Sequence, residues 1–151
     1  MNVMSQPNIP NSNEVQQLLY VYEVLENQEK SIVQQMNMVE SQTQGVDLTK
    51  RTMEEFKTVS PGHETMIPVG TNAFTSATLL NPKKVLVRIN SDILIEKDLD
   101  EGIKGMQEML NTYKNIYEKL NLQLNEVQSK LKELKPQIEQ IYRNQGMQPQ
   151  R

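Results

Sequence analysis

From Leu99 to Ile141 the apolar side chains step forward by four and three residues in alternation without a break: Leu99, Ile103, Met106, Leu110, Tyr113, Tyr117, Leu120, Leu124, Val127, Leu131, Leu134, Ile138 and Ile141. A stripe that repeats every seven residues stays on one side of a helix only when that helix winds against another, so the pattern predicts a coiled-coil strand. Ile103, Leu110, Tyr117, Leu124, Leu131 and Ile138 take the a positions and the others take d, while Lys, Glu, Gln and Asn fill most of the rest. A helix over residues 98–143 would be roughly 70 Å long at ~1.5 Å per residue, well beyond the diameter of a compact domain of this mass. Such a helix needs a partner along its length. Pro136 falls at f, facing solvent, yet its ring removes a backbone hydrogen bond at a cost of about 3 kcal/mol, which predicts a kink or fraying of the last turns.

The amino-terminal third supplies the partner. Leu18, Leu25, Ile32, Val39, Val46 and Met53 recur every seven residues, with Val15, Tyr22, Met36 and Thr43 interleaved. This seam is the weaker one, because Glu29 and Lys50 occupy a positions and Gly45 interrupts the run at a propensity cost of about 1 kcal/mol. Ser12 and Asn13 are suitable N-caps, and Ser60-Pro61-Gly62 is a stop signal, which predicts a first helix over 13–58. Two helices of matched length flanking an insert predict an antiparallel hairpin. The polar ends, 1–12 and 144–151, are expected to be disordered tails.

Between the helices the period changes from seven to two. Residues His63–Val69, Ala73–Leu80, Lys84–Asn90 and Asp92–Lys97 read as four short strands, broken at Gly70-Thr71-Asn72, Asn81-Pro82-Lys83 and Asn90-Ser91. The fold class is therefore α+β, a coiled-coil hairpin carrying two β-hairpins over 62–97. With Val85, Val87 and Ile89 on one face and Leu86 on the other, this small insert cannot cover its faces and edges alone. It is expected to pair with other subunits through Met66, Ile67, Val69, Phe74, Val85, Leu86, Val87, Ile89, Ile93, Leu94 and Ile95. The alternative is a small sheet folded back onto its own helices.

Composition narrows the function classes. Hydrophobic residues make up 36% and aromatic residues 5%, which is thin for an independent globular core. The sequence contains no cysteine, which removes disulfides and thiolate metal sites. A net charge of −3 with interspersed signs gives no footprint for nucleic acid or anionic lipid. No apolar run is long enough to span a bilayer, and the first residues lack a basic, apolar leader, so a cytoplasmic location is expected. The sole histidine, His63, follows a Pro-Gly turn, and no phosphate-binding glycine loop is present. No enzymatic activity, metal or cofactor is expected.

The segment GHETMIPVGTNAFTSATLLNPKKVLVRINSDILIEKDLDEGI, from Gly62 to Ile103, resembles the archaeal-type alpha class of the prefoldin family. Glu64, Met66, Ile67, Pro68, Val69, Gly70, Phe74, Val85, Val87, Glu96 and Lys97 match that family's pattern, and four strands suit the alpha class, since the beta class has one hairpin. Asn72 and Asn90 stand where the family commonly has Gly in its turns, and Gly102 where it commonly has Ala. Asn tolerates positive φ, so both turns can survive, whereas Gly102 and Gly105 are expected to soften the entry to the second helix.

The resemblance implies an ATP-independent chaperone. Its hairpins would join those of beta-type subunits in an intersubunit β-barrel, within a hexamer of two alpha and four beta subunits. Its coiled-coil arms would hold unfolded clients for transfer to a group II chaperonin. Client contact is expected where the start of the first helix meets the end of the second, at Val15, Leu18, Leu19, Val21, Tyr22, Leu134, Ile138, Ile141, Tyr142 and Met147. Several of these positions also continue the seam, so both roles stay open for them. The competing functions are a coiled-coil tether for one folded partner and a prefoldin-like filament former.

Overall fold

The computed structural model describes residues 12–144. Helix α1 (Ser12–Phe56) is followed by β1 (His63–Gly70), β2 (Ala73–Leu79), β3 (Lys84–Arg88), β4 (Leu94–Asp98) and helix α2 (Leu99–Asn144). Apart from Ser12 and Asn144, which are helical, the expected tails, with Met147, lie outside the described residues. The chain forms two compact units, one holding the described residues up to Met38 and from Tyr117 onward, the other Val39–Ile116.

In each unit the two helices meet along the heptad stripe. In the first unit Leu25, Ile32 and Met36 of α1 and Leu120, Val127, Ile138 and Ile141 of α2 are buried. Val39, Met53 and Leu99 are buried in the second. The remaining a and d residues are half-buried, apart from Tyr117, which is 39% exposed. The helices run antiparallel. In the first unit Gln128 Nε2 donates to Glu29 Oε1 at 2.9 Å. In the second, Lys50 Nζ donates to Gln107 Oε1 at 2.6 Å and also lies 3.6 Å from Glu54. Both polar intruders in the α1 seam therefore meet a polar partner from α2, which keeps their partial burial from leaving a charge unpaired.

Two expected weak points do not interrupt the helices. The fraying expected at Pro136 is not seen: α2 runs through it to Asn144. Pro136 is exposed, whereas Ile138 and Ile141 beyond it are buried. Burying two such side chains is worth about 1.5–3 kcal/mol each, which offsets the ~3 kcal/mol cost of an interior proline. Gly45 likewise lies within an unbroken α1, with open space where a Cβ would project.

After α1 the chain tightens. The amides of Lys57, Thr58 and Val59 each donate to the carbonyl three residues back at 3.2 Å, and Gly62 then takes φ 89°. Only glycine adopts that backbone geometry without strain. Gly62 N donates to Leu79 O at 2.8 Å, joining the turn to the end of β2.

The strands form two separate two-stranded antiparallel sheets. In β1–β2 the register slips between Pro68 and Gly70, leaving Val69 as a bulge beside the turn. Asn72 closes that turn at φ 58°, a conformation that Asn tolerates better than other non-glycine residues. Asn90 behaves differently from expectation. Its Oδ1 accepts from the amides of Asp92 and Ile93, both at 3.0 Å, so its side chain builds the turn without a positive φ. As a result β3 ends at Arg88 and β4 begins at Leu94, each shorter than the sequence pattern suggests.

Candidate functional site

The register of β3–β4 pairs Val85 with Lys97, Val87 with Ile95 and Arg88 with Leu94. Because side chains alternate along a strand, Val85, Val87 and Ile95 share one face, and Leu86 and Leu94 share the other. At the base of the first face Val85 lies against α2. A Cβ added to Gly102 would sit 2.7 Å from Val85 Cγ2 and 3.5 Å from Met53 Sδ. Gly102 is therefore a site of close approach between strand and helix rather than a soft joint. This corrects the expectation of a flexible helix entry at that residue, and it shows that one end of the hairpin does fold back on its own helices.

The contact is reinforced by the backbone, where Leu99 N donates to Lys83 O at 2.8 Å. Lys83 Nζ reaches the carbonyl of Lys57 beyond the end of α1, and Lys57 Nζ lies 3.9 Å from Asp100. Lys84 and Asp98 form a cross-strand ion pair whose hydrogen bond and charge hold the lysine above its ordinary pKa.

Away from that base the cover stops. Ile89, Ile93 and Ile95 are exposed, as are Leu86 and Leu94 on the opposite face. On the first hairpin Met66 and Phe74 are 63% and 61% exposed, and Ile67 and Val69 are exposed as well. Of the residues expected to meet other subunits, Val85 and Val87 alone are half-buried within the chain. Exposed apolar side chains grouped on strand faces in this way are available for association. The heptad and strand patterns did not single out Leu80, which is 86% exposed between the hairpins.

The residues expected to contact clients fall into two groups. Ile138 and Ile141 are buried in the seam, and Val15, Leu18 and Leu134 are half-buried there. Tyr22 is half-buried in the seam as well; Leu19 and Tyr142, off the seam, are half-buried, and Val21 is 46% exposed. Tyr20, which the sequence reading passed over, is 68% exposed at an f position. A bulky aromatic where a coiled coil ordinarily shows a charge is the signal that could have found it. Partial burial, with Glu26, Glu139 and Glu29 nearby, raises the pKa of Tyr22 above its ordinary 10.0.

Among the described residues no cluster of His, Cys, Asp and Glu is placed to hold a metal ion. Nor is any described helix long and apolar enough to cross a membrane.

A family model described as "Prefoldin subunit" matches residues 25–144, which span most of α1, both hairpins and all of α2. This chain belongs to the prefoldin family. Among curated relatives, prefoldin subunit alpha of Pyrococcus horikoshii is 22% identical over 138 residues, covering 91% of this chain and 93% of the relative. Prefoldin subunit alpha of Methanosarcina barkeri is 27% identical over 131 residues, covering 85% and 91%. A cryo-EM structure of filamentous PFD from Methanocaldococcus jannaschii shares the fold, with a TM-score of 0.67, 18% identity, and coverage of 75% of this chain and 93% of that one. Membership of the prefoldin family makes this a chaperone subunit, one that assembles with other prefoldin subunits.

Proposed function

We propose that this chain is an alpha-class subunit of an ATP-independent holdase. The observation that carries the reading is the pair of β-hairpins, the second packed against α2 at Gly102 and both bearing exposed apolar side chains. Two hairpins per chain suit an alpha subunit, and their uncovered strands suit a β-barrel shared with beta-type subunits in a cytoplasmic hexamer of two alpha and four beta chains. The arms then meet unfolded clients near the start of α1 and the end of α2. Weak apolar contacts on several arms, joined through one body, hold a client by effective concentration. Tyr20, Val21 and Leu19 are suited to this because they lie off the seam. Ile138 and Ile141 would contribute only if the last turns opened. A client held in this way is passed to a group II chaperonin.

The test is aggregation of a chemically unfolded client, followed by light scattering without nucleotide. The complex with a beta-type subunit should suppress scattering, and removal of residues 1–22 and 134–151 should abolish suppression while assembly persists. Unchanged suppression by the truncated complex would refute the arm-end mechanism. Open ladders of oligomers formed without a beta subunit would favour a filament former, and capture of a single folded partner with no affinity for unfolded chains would favour a tether.

A further inference from the structure

Along β2, Ala77 and Leu79 are half-buried, whereas residues 73–76 and Thr78 are exposed. Leu80 continues the exposed series and is the most exposed large apolar residue among those described. A lone surface leucine is unremarkable. This one differs because the backbone around it is fixed on both sides. Leu79 O accepts from Gly62 N at 2.8 Å. On the other side, Asn81 Oδ1 accepts from Lys83 N at 3.2 Å and Asn81 O accepts from Lys84 N at 3.3 Å. Pro82, within that turn, is fully buried. The chain thus presents Leu80 on a rigid mount between two hairpins whose apolar faces are themselves open. A side chain held in this way loses little backbone freedom on docking, so nearly all of its apolar burial strengthens association.

We propose that Leu80 is an anchor of the subunit interface, seated in an apolar socket on a neighbouring prefoldin subunit. The partner is another subunit rather than a client because Leu80 lies between the two strand surfaces already assigned to assembly, a reading on which this inference rests. Burying a fully exposed leucine corresponds to about a ten- to hundredfold change in an association constant.

The experiment compares wild-type chain, Leu80→Ser, Leu80→Met and Leu86→Asp, each assembled with a prefoldin beta subunit from the same source. Mass photometry through a dilution series gives the dissociation midpoint, and circular dichroism reports the fold of each variant. Leu80→Ser should retain its helical signal and dissociate at about ten- to hundredfold higher concentration, with Leu80→Met close to wild type. If Leu86→Asp breaks the complex but Leu80→Ser leaves the midpoint unchanged, the anchor is refuted and the hairpin interface stands. If neither substitution moves the midpoint, the hairpin interface itself is wrong and the anchor falls with it.

Discussion

Gly45 and Gly102 both lie within the long helices, and replacing each by alanine should have opposite effects on stability. Alanine in a helix interior is favoured over glycine by about 1 kcal/mol through lost backbone entropy in the unfolded chain. At Gly45 nothing stands in the way of a Cβ, so Gly45→Ala should stabilise the chain by ~0.5–1 kcal/mol. At Gly102 the new methyl would come within 2.7 Å of Val85 Cγ2. Val85 is β-branched and stiff about χ1, so the strain must move the strand or force a poor rotamer, at about 1–3 kcal/mol. Taken with the same propensity gain, Gly102→Ala should be neutral to destabilising by up to ~2 kcal/mol. Trimming the neighbour separates the two terms. Val85→Ala alone should destabilise by roughly 1 kcal/mol, but in the Gly102→Ala background it should recover stability, giving a coupling energy of about 1–2 kcal/mol. Guanidinium unfolding followed by far-ultraviolet circular dichroism measures all four corners of this cycle. If Gly102→Ala stabilises as much as Gly45→Ala, and its effect simply adds to that of Val85→Ala, the close approach of β3 to α2 is not a constraint on the fold.

Three further outcomes follow from the seam. Gln128→Leu should cost about 1–2 kcal/mol because it strips the half-buried Glu29 carboxylate of its partner, whereas the double variant with Glu29→Leu should be at least as stable as wild type in thermal unfolding. Tyr22 should ionise above pH 10.0, shifted chiefly by burial and then by Glu26, Glu139 and Glu29, so the stability it contributes holds below pH 10 and declines as pH rises through its folded pKa. Ultraviolet titration of tyrosinate, with Tyr22→Phe to identify the late component, checks this. Ile138→Ala should lower stability by about 2–5 kcal/mol, while Tyr20→Ser combined with Val21→Ser should leave unfolding within about 0.5 kcal/mol of wild type and weaken suppression of client aggregation. If the aggregation assay does not respond to that pair, the exposed start of α1 does not contact clients.

The helical part of the fold is readable from sequence because heptad spacing states a geometric requirement directly. A residue at a or d must face the partner, and the burial of Leu25, Ile32, Val39, Leu120 and Val127 follows from their positions alone. The polar positions in the seam are less readable. Glu29 and Lys50 look like defects until the antiparallel register brings Gln128 and Gln107 opposite them, and that register depends on where the chain turns back. Pro136 misleads for a related reason. Its local cost is fixed and visible, but the burial on its far side that outweighs it is a tertiary quantity.

The exposed hairpin faces show where pattern reading stops. Alternation within β3 identifies two apolar faces, yet it cannot say that Val85 is occupied by Gly102 while Ile89 and Ile93 stay open, because that division depends on where the strand leaves the helix. The same residue type, a β-branched aliphatic on a strand, supports the fold at one end of a hairpin and is free for association at the other. Gly102 marks the boundary between these uses. Its missing side chain lets the base of the second hairpin pack closely on α2, while the apolar side chains further along that hairpin stay exposed, as the proposed assembly requires. A flexible joint at this point would let that surface wander and would add an ordering cost to every association. On the proposed function, the close contact thus links a single residue in the sequence to the orientation in which the second hairpin meets its partners.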